Sequence, residues 1–518
     1  MSRATNFRPV RHSLVSLLGE EYLGAVIAAQ ANLTGRSPRV LRSIAAAEVD
    51  FFPAASQERQ VRLLPQVGLP FSPPLARSAA GASTHAFEAA SEQALAPLAG
   101  WGCFRVGEDG RLFLTAKSEH YHAPLGHGFP GYQLIEHARQ VGIPNATHNN
   151  TRGHIVRLLE GELVRTANGI ARGDKAGLAR VVRSRGASSL NRVLNLQTGS
   201  LAAETALKIM LARFCEAGRG WPEPRYRGRI PVIIAIGDDD GRMTANYHGT
   251  TIFTQMMRGM WPGLLSAVVA PGAVKFVAVR PNRRDDVQEA FRRYERGRYK
   301  IAGFCHELIM MNYGARMLEK PFVWTCYSLC RKHDVPTFVD EIQTCLWSPE
   351  LYMFREYGIH PDLVAVGKGL AGGEFSASRI LLNGRLDLLP QFGSLVTNGQ
   401  EERSSLAYLI TMEWAVKNRA VTRAVGDYYQ RRLNGLVRAH AGLLRKVEGH
   451  RHLAGLCFRD VAVAESFARS LRGRGVDISV QTYKAGCPPT ALTKLPLIAG
   501  YEVVDFLVDR MDASLSQV

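Results

Sequence analysis

Five short apolar runs, separated by stretches with helical periodicity, constrain the fold of this chain more than any other feature. Each run is six to eight residues long and continuous rather than alternating, which is typical of strands buried on both faces. Helical stretches such as DDVQEAFRRYERG and PFVWTCYSLCRKHD lie between them. The alternation predicts an α/β domain with a mostly parallel sheet. The runs are PVIIAIG (231–237), VKFVAV (274–279), IAGFCHEL (301–308), TFVDEI (337–342) and LVAVGKG (363–369).

The chain divides into three predicted parts. Residues 1–104 have the pattern of helices and Pro-rich loops, which indicates an N-terminal helical extension and linker. Residues 105–425 form the predicted large domain, although 105–150 belong partly to a hairpin of the small domain, with an Asp-Gly turn in GCFRVGEDGRLFLTA. Residues 426–518 form a predicted small α+β domain.

Composition excludes several classes of protein. The 518 residues are 46% hydrophobic and 21% charged, as in ordinary globular proteins, and no apolar run reaches eighteen residues, so we expect no membrane span. Glu20 and Glu21 interrupt any signal-like apolar stretch, which favours a cytoplasmic protein. Of eight cysteines only Cys326 and Cys330 are close together, and no further ligands have a suitable spacing. We therefore predict reduced thiols and no metal site.

The net charge of +18 and the isoelectric point near 9.7 raise the possibility of nucleic-acid binding. The positive charge is mostly arginine and is dispersed, and no zinc finger, aromatic-basic RNA motif or helix-turn-helix pattern stands out. Attraction of anionic substrates or of a phosphate group is enough to give this positive charge a role. Nucleic acid is therefore an unfavoured partner, testable by salt-dependent retention on DNA.

Two residues at predicted strand ends carry the strongest chemical signal. Asp340 ends TFVD, and Lys368 follows LVAVG beside flexible glycines. Ligands bind beyond the carboxyl ends of strands in open α/β sheets, so both side chains are placed to face one crevice. A desolvated lysine can lose its proton and attack a carbonyl. Pyridoxal phosphate (PLP) needs such a lysine for its aldehyde and a carboxylate for its ring nitrogen.

A candidate for the phosphate site lies further upstream. In NLQTGSLAAETALKIMLARF, the small residues Thr198, Gly199 and Ser200 open a strong helix. The N–H groups at a helix N-terminus bind anions, and glycine lets the backbone approach them closely.

The order and spacing of these motifs resemble the class III aminotransferases, the family of ornithine and 4-aminobutyrate aminotransferases, from about residue 105 to the C-terminus. TGSLAAETALKIMLAR resembles the family's phosphate helix, ANYHGTT its YHGRT, and GFCHEL its strand ending in Glu-Pro. VDEIQT resembles DEVQT, VGKGLAGG resembles SKGLGGG, and GSLVTNGQ resembles HTFGGNP.

The resemblance implies PLP as the cofactor and the PLP-dependent transferase fold type I. That fold has a large domain with a mostly parallel seven-stranded sheet flanked by helices, and a small α+β C-terminal domain. Lys368 would form the Schiff base and carry the proton in catalysis, and Asp340 would pair with the pyridinium nitrogen. Gln343 would approach the phenolic oxygen of the ring, and Glu307 would lie near the substrate and the ring.

The remaining implied contacts hold the cofactor. Gly199 and Ser200 would bind the phosphate, and Tyr247 would stack on the ring with His248 beside it. Thr397 would reach the phosphate of the neighbouring subunit's cofactor, which implies an obligate homodimer.

Each candidate also has a purely structural interpretation. Gly199 and Ser200 suit a simple helix N-cap, and His248 is more typical of a structural role than of a proton carrier. The aspartates 238–240 suggest a cation site, but a solvated loop is the favoured interpretation. Other structural roles are a surface lysine for Lys368, a cap or ion pair for Asp340, core packing for Tyr247, a satisfied buried carboxylate for Glu307, and ordinary polar positions for Gln343 and Thr397.

The departures from the family pattern concern mainly the substrate. Thr250 stands where the family has the arginine of YHGRT, and Leu308 replaces the proline after the glutamate. Near the C-terminus the family's R-L-x-PPL arginine, which often binds the substrate carboxylate, is absent, and Lys494 lies close by but out of register. A lysine cannot replace bidentate arginine recognition. The pattern therefore predicts an unusual substrate.

Four functions remain from the sequence. The first is a ping-pong aminotransferase that takes an amine or amino acid and a carbonyl compound as substrates. The second is an aminomutase, racemase or epimerase that uses the same PLP residues. The third is a non-catalytic relative, against which the intact Lys368 argues, and the fourth is the nucleic-acid-binding protein considered above.

Overall fold

The computed structural model of the protein describes residues 5–184, 186, 189–219, 221, 223–482 and 487–518, with the backbone alone of residues 89 and 93. A seven-stranded sheet lies at its centre, and only one strand runs against its neighbours. The predicted α/β class with a mostly parallel seven-stranded sheet is confirmed. In spatial order the strands are Arg192–Leu196, Ser378–Leu382 (the reversed strand), Leu363–Gly367, Thr337–Asp340, Tyr299–His306, Ile230–Ile236 and Lys275–Val279.

Each of the five apolar runs forms one of these strands, and their side chains are divided between two cores. Val364 and Val366 face one core, whereas Leu363 and Ala365 face the other, as the period of two in a strand requires. Both faces of the sheet are therefore buried, which explains why the runs are continuously apolar.

Helices cover both faces of the sheet, and the helix Gly199–Leu211 packs on the face that Ala365 and Ile380 share. The long helix Glu402–Ala439 leads from this region to the C-terminal part. The other helices of this region are Gln133–Gln140, His154–Ala167, Lys175–Arg183, Ile252–Met257, Pro262–Val269, Arg284–Tyr294, Lys320–Lys332, Met353–Tyr357 and Gln391–Ser394.

The N-terminal residues pack against the rest of the chain through an aromatic cluster. Phe7 and Phe52 contact each other and Trp414 of the long helix, with ring centroids 5.5 to 6.3 Å apart. Gln60 donates to the carbonyl of Ile498 at 2.9 Å. The elements before residue 100 are the strands Arg11–His12 and Val49–Asp50 and the helices Leu14–Leu18, Glu20–Thr34, Pro38–Ala46, Ala54–Leu63 and His85–Ala90.

The C-terminal part contains two smaller sheets. One has the order Leu444–His450, Leu453–Phe458, Thr490–Lys494 and Ser479–Gln481. The other joins the predicted hairpin to the C-terminal part, in the order Val476–Asp477, Leu112–Thr115, Phe104–Gly107 and Pro97–Trp101. The remaining elements are the helices Val461–Gly473 and Tyr501–Leu515, the two-residue strands Ile309–Met310 and Arg316–Met317, and the 3-10 turns Leu64–Gln66, Gln93–Leu95, Pro130–Tyr132, Asn149–Thr151, Met243–Ala245, Lys368–Ala371 and Gly384–Leu386.

None of the helices in the residues that the structure describes combines the length and hydropathy that crossing a membrane requires. All eight cysteines are described and free, and Cys326 and Cys330 are buried in the helix Lys320–Lys332.

Candidate active site

Asp340 ends its strand with both carboxylate oxygens engaged. The Oδ1 atom accepts from the N–H of Ile342 at 3.1 Å, and Oδ2 lies 2.9 Å from His248 Nδ1. An ionised carboxylate only accepts hydrogen bonds, so the Nδ1 of His248 carries the proton and donates it. Both side chains are buried, and His248 therefore fixes the orientation of Asp340.

Lys368 follows the neighbouring strand in a strained conformation. Its φ is +44°, a left-handed value that costs energy in a residue with a side chain. Asp340 pairs in register with Ala365 of this strand, so the two candidate side chains leave the same edge of the sheet. Burial lowers the pKa of Lys368, and the carboxylates of Asp340 and Glu307 oppose that shift. A lysine with a lowered pKa supplies the neutral amine that attack on a carbonyl requires.

A cavity of about 260 Å³ brings most of the predicted residues together. Its lining also includes Ile342, His122 and the segment 375–378, which the sequence analysis did not single out. The apolar run TFVDEI ends with Ile342, but the strand itself ends at Asp340, so the turn that follows it sets the position of Ile342 in the lining. The predicted residues in the lining are Gly199, Ser200, Tyr247, His248, Asp340, Gln343 and Lys368.

One end of the cavity is formed by a helix N-terminus. Thr198 caps the helix Gly199–Leu211 by accepting from the N–H of Leu201, and Ser200 Oγ accepts from the N–H of Thr250 at 3.1 Å. Gly249 has a φ of +114°, and a Cβ atom there would lie 2.6 Å from Ser200 Oγ. The close approach of these two loops requires glycine, and it leaves the first N–H groups of the helix facing the cavity as an anion site.

The structure places the other predicted residues in three different surroundings. Gln343 donates to Glu307 Oε1 at 3.2 Å, and Glu307 is buried behind the cavity lining. Tyr247 is half-buried, with the guanidinium of Arg258 5.1 Å from its ring centroid. Thr397 is exposed and lies outside the lining of this chain's cavity.

The acidic loop that suggested a cation site is a hydrogen-bonded turn. Asp238 accepts from the N–H groups of Asp240 and Arg242 and from the hydroxyl of Thr244. Among the described residues, no group of three or more His, Cys, Asp or Glu side chains is arranged to hold a metal ion.

A turn at 118–121 brings further groups towards Lys368. All four residues have positive φ, between 45° and 72°, although none is glycine. Tyr121 lies with its ring centroid 5.2 Å from Lys368 Nζ and 4.0 Å from Lys494 Nζ. Nothing local in the sequence predicts this left-handed turn, and the strand that carries Lys494 is more than 370 residues away.

Buried charges hold this turn in place. Arg105 contacts both carboxylate oxygens of Glu119, at 2.6 and 2.7 Å, and also contacts Asp477, which Lys117 reaches at 2.9 Å. His127 lies 3.1 Å from Glu119 Oε1. Burial opposes ionisation of Glu119, but the hydrogen bond from His127 and the Arg105 guanidinium outweigh it and lower the pKa of Glu119 from 4.5 to about 2.

We expect Glu119→Gln to lower the free energy of unfolding by about 2–3 kcal/mol at pH 7. Because the folded-state pKa is depressed, this contribution is present above about pH 4.5 and is lost as the pH falls towards 2. Chemical denaturation at pH 7, 4.5 and 3 measures the difference between the two proteins. The exposed Glu58→Gln is the matched control, and a difference that does not shrink with falling pH would contradict this role.

Comparisons with known proteins agree with this geometry. The family model described as Aminotransferase class-III matches residues 95–485. The chain is 25% identical over 317 residues to adenosylmethionine-8-amino-7-oxononanoate aminotransferase of Corynebacterium glutamicum, covering 58% of this chain and 65% of that protein. It is 28% identical over 207 residues to ornithine aminotransferase of Emericella nidulans, covering 38% and 41%. The chain thus spans less than two thirds of the length of these two relatives.

Solved structures share the fold at lower identity. The acetylornithine aminotransferase of Elizabethkingia anophelis superposes with a TM-score of 0.64 at 18% identity, covering 89% of this chain and 99% of that one. The adenosylmethionine-8-amino-7-oxononanoate aminotransferase of Methanocaldococcus jannaschii gives 0.65 at 16% identity, covering 85% and 96%. These likenesses concern the fold alone.

Proposed function

Because the chain belongs to the class III aminotransferase family, we propose that it is a PLP-dependent aminotransferase. It moves an amino group from an amine or amino-acid donor to a carbonyl acceptor in a ping-pong reaction. One observation carries the proposal: Lys368 and Asp340 line one cavity together with the N-terminus of the helix Gly199–Leu211.

The residues of the cavity fit this cofactor. The helix N-terminus with Ser200 suits the phosphate, the buried carboxylate of Asp340 suits a protonated ring nitrogen, and Ile342 and Tyr247 suit the two faces of an aromatic ring. When bound, PLP supplies an electron sink for the carbanion formed at the substrate's α-carbon.

The side chains of the site would have separate roles in the reaction. His248 holds Asp340 in one orientation, in which the carboxylate would keep the ring nitrogen of the bound cofactor protonated. Lys368 would hold the cofactor through its aldehyde, and its amine, once free, would carry the proton in catalysis. Glu307 accepts from the amide of Gln343 and so fixes the orientation of that side chain, which would lie beside the ring of the bound cofactor.

A spectrum followed by a half-reaction tests the proposal. We expect added PLP to give an absorbance band that borohydride removes. Mixing the loaded protein with an amino donor and no acceptor should then leave pyridoxamine phosphate, and the compounds in the relatives' names are the first donors to try. A racemase, epimerase or aminomutase would keep the cofactor as PLP, and a non-catalytic relative would not change it.

Ser200→Ala is expected to weaken PLP binding about tenfold, because it removes one hydrogen bond to a charged phosphate. Titration of the protein without cofactor, followed by absorbance, gives the Kd. The exposed Ser37→Ala serves as control. Equal affinities in all three proteins would remove Ser200 from the phosphate site.

We also propose that the active protein is a homodimer in which Thr397 reaches the partner's cofactor phosphate. Exposed apolar side chains on segments near the helix Gly199–Leu211, here called the patch, support this assignment. The helix Gly199–Leu211 contacts the segment before Ile252 through a hydrogen bond of 2.8 Å from Thr251 to Glu204, and Lys208 donates to Gly393 at 3.0 Å. The patch consists of Ile252, Met260, Trp261, Leu264 and Phe392.

The double variant Trp261→Glu with Phe392→Glu is expected to be monomeric, because two charges would have to be buried in the interface. Phe392 is 93% exposed and Trp261 is 52% exposed in the single chain, so neither change disturbs the core. Light scattering after gel filtration should show twice the 57.0 kDa chain mass for the wild type and for the control Leu33→Glu. A wild type that is monomeric when loaded with PLP would contradict the dimer.

A further inference from the structure

A second lysine lies beside the one that bonds to the cofactor. Lys494 ends the strand Thr490–Lys494 and is 3% exposed. Its Nζ lies 4.0 Å from the ring centroid of Tyr121, and the Nζ of Lys368 lies 5.2 Å from the same centroid. Both distances are within the range in which an aromatic ring attracts a cation.

Among the described residues, Lys494 has no carboxylate partner within 4 Å, in contrast to Lys300 and Lys117. Lys300 contacts Glu295 at 2.9 Å and Lys117 contacts Asp477 at the same distance. Its polar neighbour is His120 Nδ1, at 3.5 Å. Burial, followed by the charges of Lys494, Lys117 and Lys368, lowers the pKa of His120 to about 3, so this ring is neutral and can accept from an ammonium group.

The charges around the pair decide which amine holds a proton first. Burial, Lys368 and Lys117 lower the pKa of Lys494 far below its ordinary value. Lys368 is also buried, but two carboxylates oppose the shift of its pKa. The titratable groups that face the two amines are Lys117, Glu119, His120, Tyr121 and His122 of the turn region, Asp340, Glu307 and Cys345 at the strand ends, and Asp477 behind Lys117.

Two ammonium groups at one buried ring repel each other, whereas one is stabilised by the ring. We propose that Lys368 and Lys494 hold a single proton between them across the ring of Tyr121, which makes Lys494 a positioning residue for Lys368. Transfer of the shared proton to Lys494 would leave Lys368 as the neutral amine that can attack the cofactor aldehyde; the C=N bond would then form as the carbonyl oxygen leaves as water, and the proton would stay on Lys494. The inference rests on the proposed function, because it takes Lys368 as the residue that bonds to PLP.

The test follows the absorbance of bound PLP against pH, a property that a merely structural lysine would not change. Lys494→Met removes the second amine at nearly constant volume, and Lys494→Arg makes its charge permanent. We expect the pH midpoint of this absorbance titration to be highest in Lys494→Met, which lacks the second charge, and lowest in Lys494→Arg. The two should differ by at least about one pH unit, which is a tenfold change in proton affinity. Lys446→Met, a half-exposed change in the same small sheet, should leave the midpoint unchanged.

The wild type provides a second readout that needs no variant. Two coupled sites should give a titration broader than that of one proton, whereas Lys494→Met should titrate as a single site. A one-proton curve in the wild type, or midpoints of wild type and Lys494→Met within about 0.2 units, would overturn the proposal.

Failure of the proposed function would look different, because no cofactor band would appear in any variant. NMR titration of lysine-labelled protein without cofactor then tests whether the two lysines share a proton, independently of cofactor binding. If the two amines share a proton, the pH midpoint of the Lys494 signal, assigned from Lys494→Met, rises in Lys368→Ala. An unchanged midpoint would refute the shared proton.

Discussion

Lys368→Ala is expected to lower kcat by at least about 10⁴-fold and to leave no cofactor bound to the chain after borohydride treatment. The change removes the amine that bonds to the aldehyde and also the group that moves the proton. Transamination assays measure the rate, and mass spectrometry of peptides identifies the modified residue in the wild type.

The exposed Lys320→Ala is the matched control and should behave as the wild type. Because the amines of Lys494 and Lys368 both lie near the ring of Tyr121, the peptide that carries Lys494 must be examined as well. Full activity of Lys368→Ala, or a cofactor attached to Lys494 in the wild type, would reverse the assignment of the two lysines.

Asp340→Asn is expected to have the second-largest effect, lowering kcat about 10²–10³-fold. The amide has the shape of the carboxylate but no charge to keep the ring nitrogen protonated. It also loses the charge-assisted hydrogen bond from His248, which is 2.9 Å long. The rate of the half-reaction with an amino donor measures the effect, separately from the binding of the acceptor.

Two further variants locate the cause of the Asp340 effect. His248→Gln should give a smaller loss, because it disturbs the orientation of the carboxylate and keeps its charge. Asp387→Asn changes an exposed carboxylate and should have no effect. If Asp340→Asn kept the wild-type rate, the carboxylate would have no part in the chemistry.

The sequence was sufficient to predict the central sheet and the two residues at its edge. Continuous apolar runs mark strands buried on both faces, and an acid and a lysine directly after two such runs must lie at the same end of a parallel sheet. The register of Asp340 with Ala365 shows how closely the two strand ends are matched. The candidate cofactor residues could be proposed from the sequence because this sheet fixes their positions.

The surroundings of Tyr121 could not be predicted in this way. The turn at 118–121 has left-handed dihedral angles without a glycine to signal them, and it is held by Arg105 and Asp477 from distant parts of the chain. The sequence motifs place Lys494 only near the expected arginine, because tertiary packing decides where its amine lies. The domain boundaries at 104 and 425 and the partner contact of Thr397 stay predictions.

A crystal structure of the protein with PLP tests the central claim most directly. We expect continuous electron density from Lys368 Nζ to the aldehyde carbon, a carboxylate oxygen of Asp340 within hydrogen-bonding distance of the ring nitrogen, and the phosphate at the N-terminus of the helix Gly199–Leu211. Cofactor density elsewhere in the molecule, or a ring that Asp340 and Lys368 do not both contact, would contradict the account.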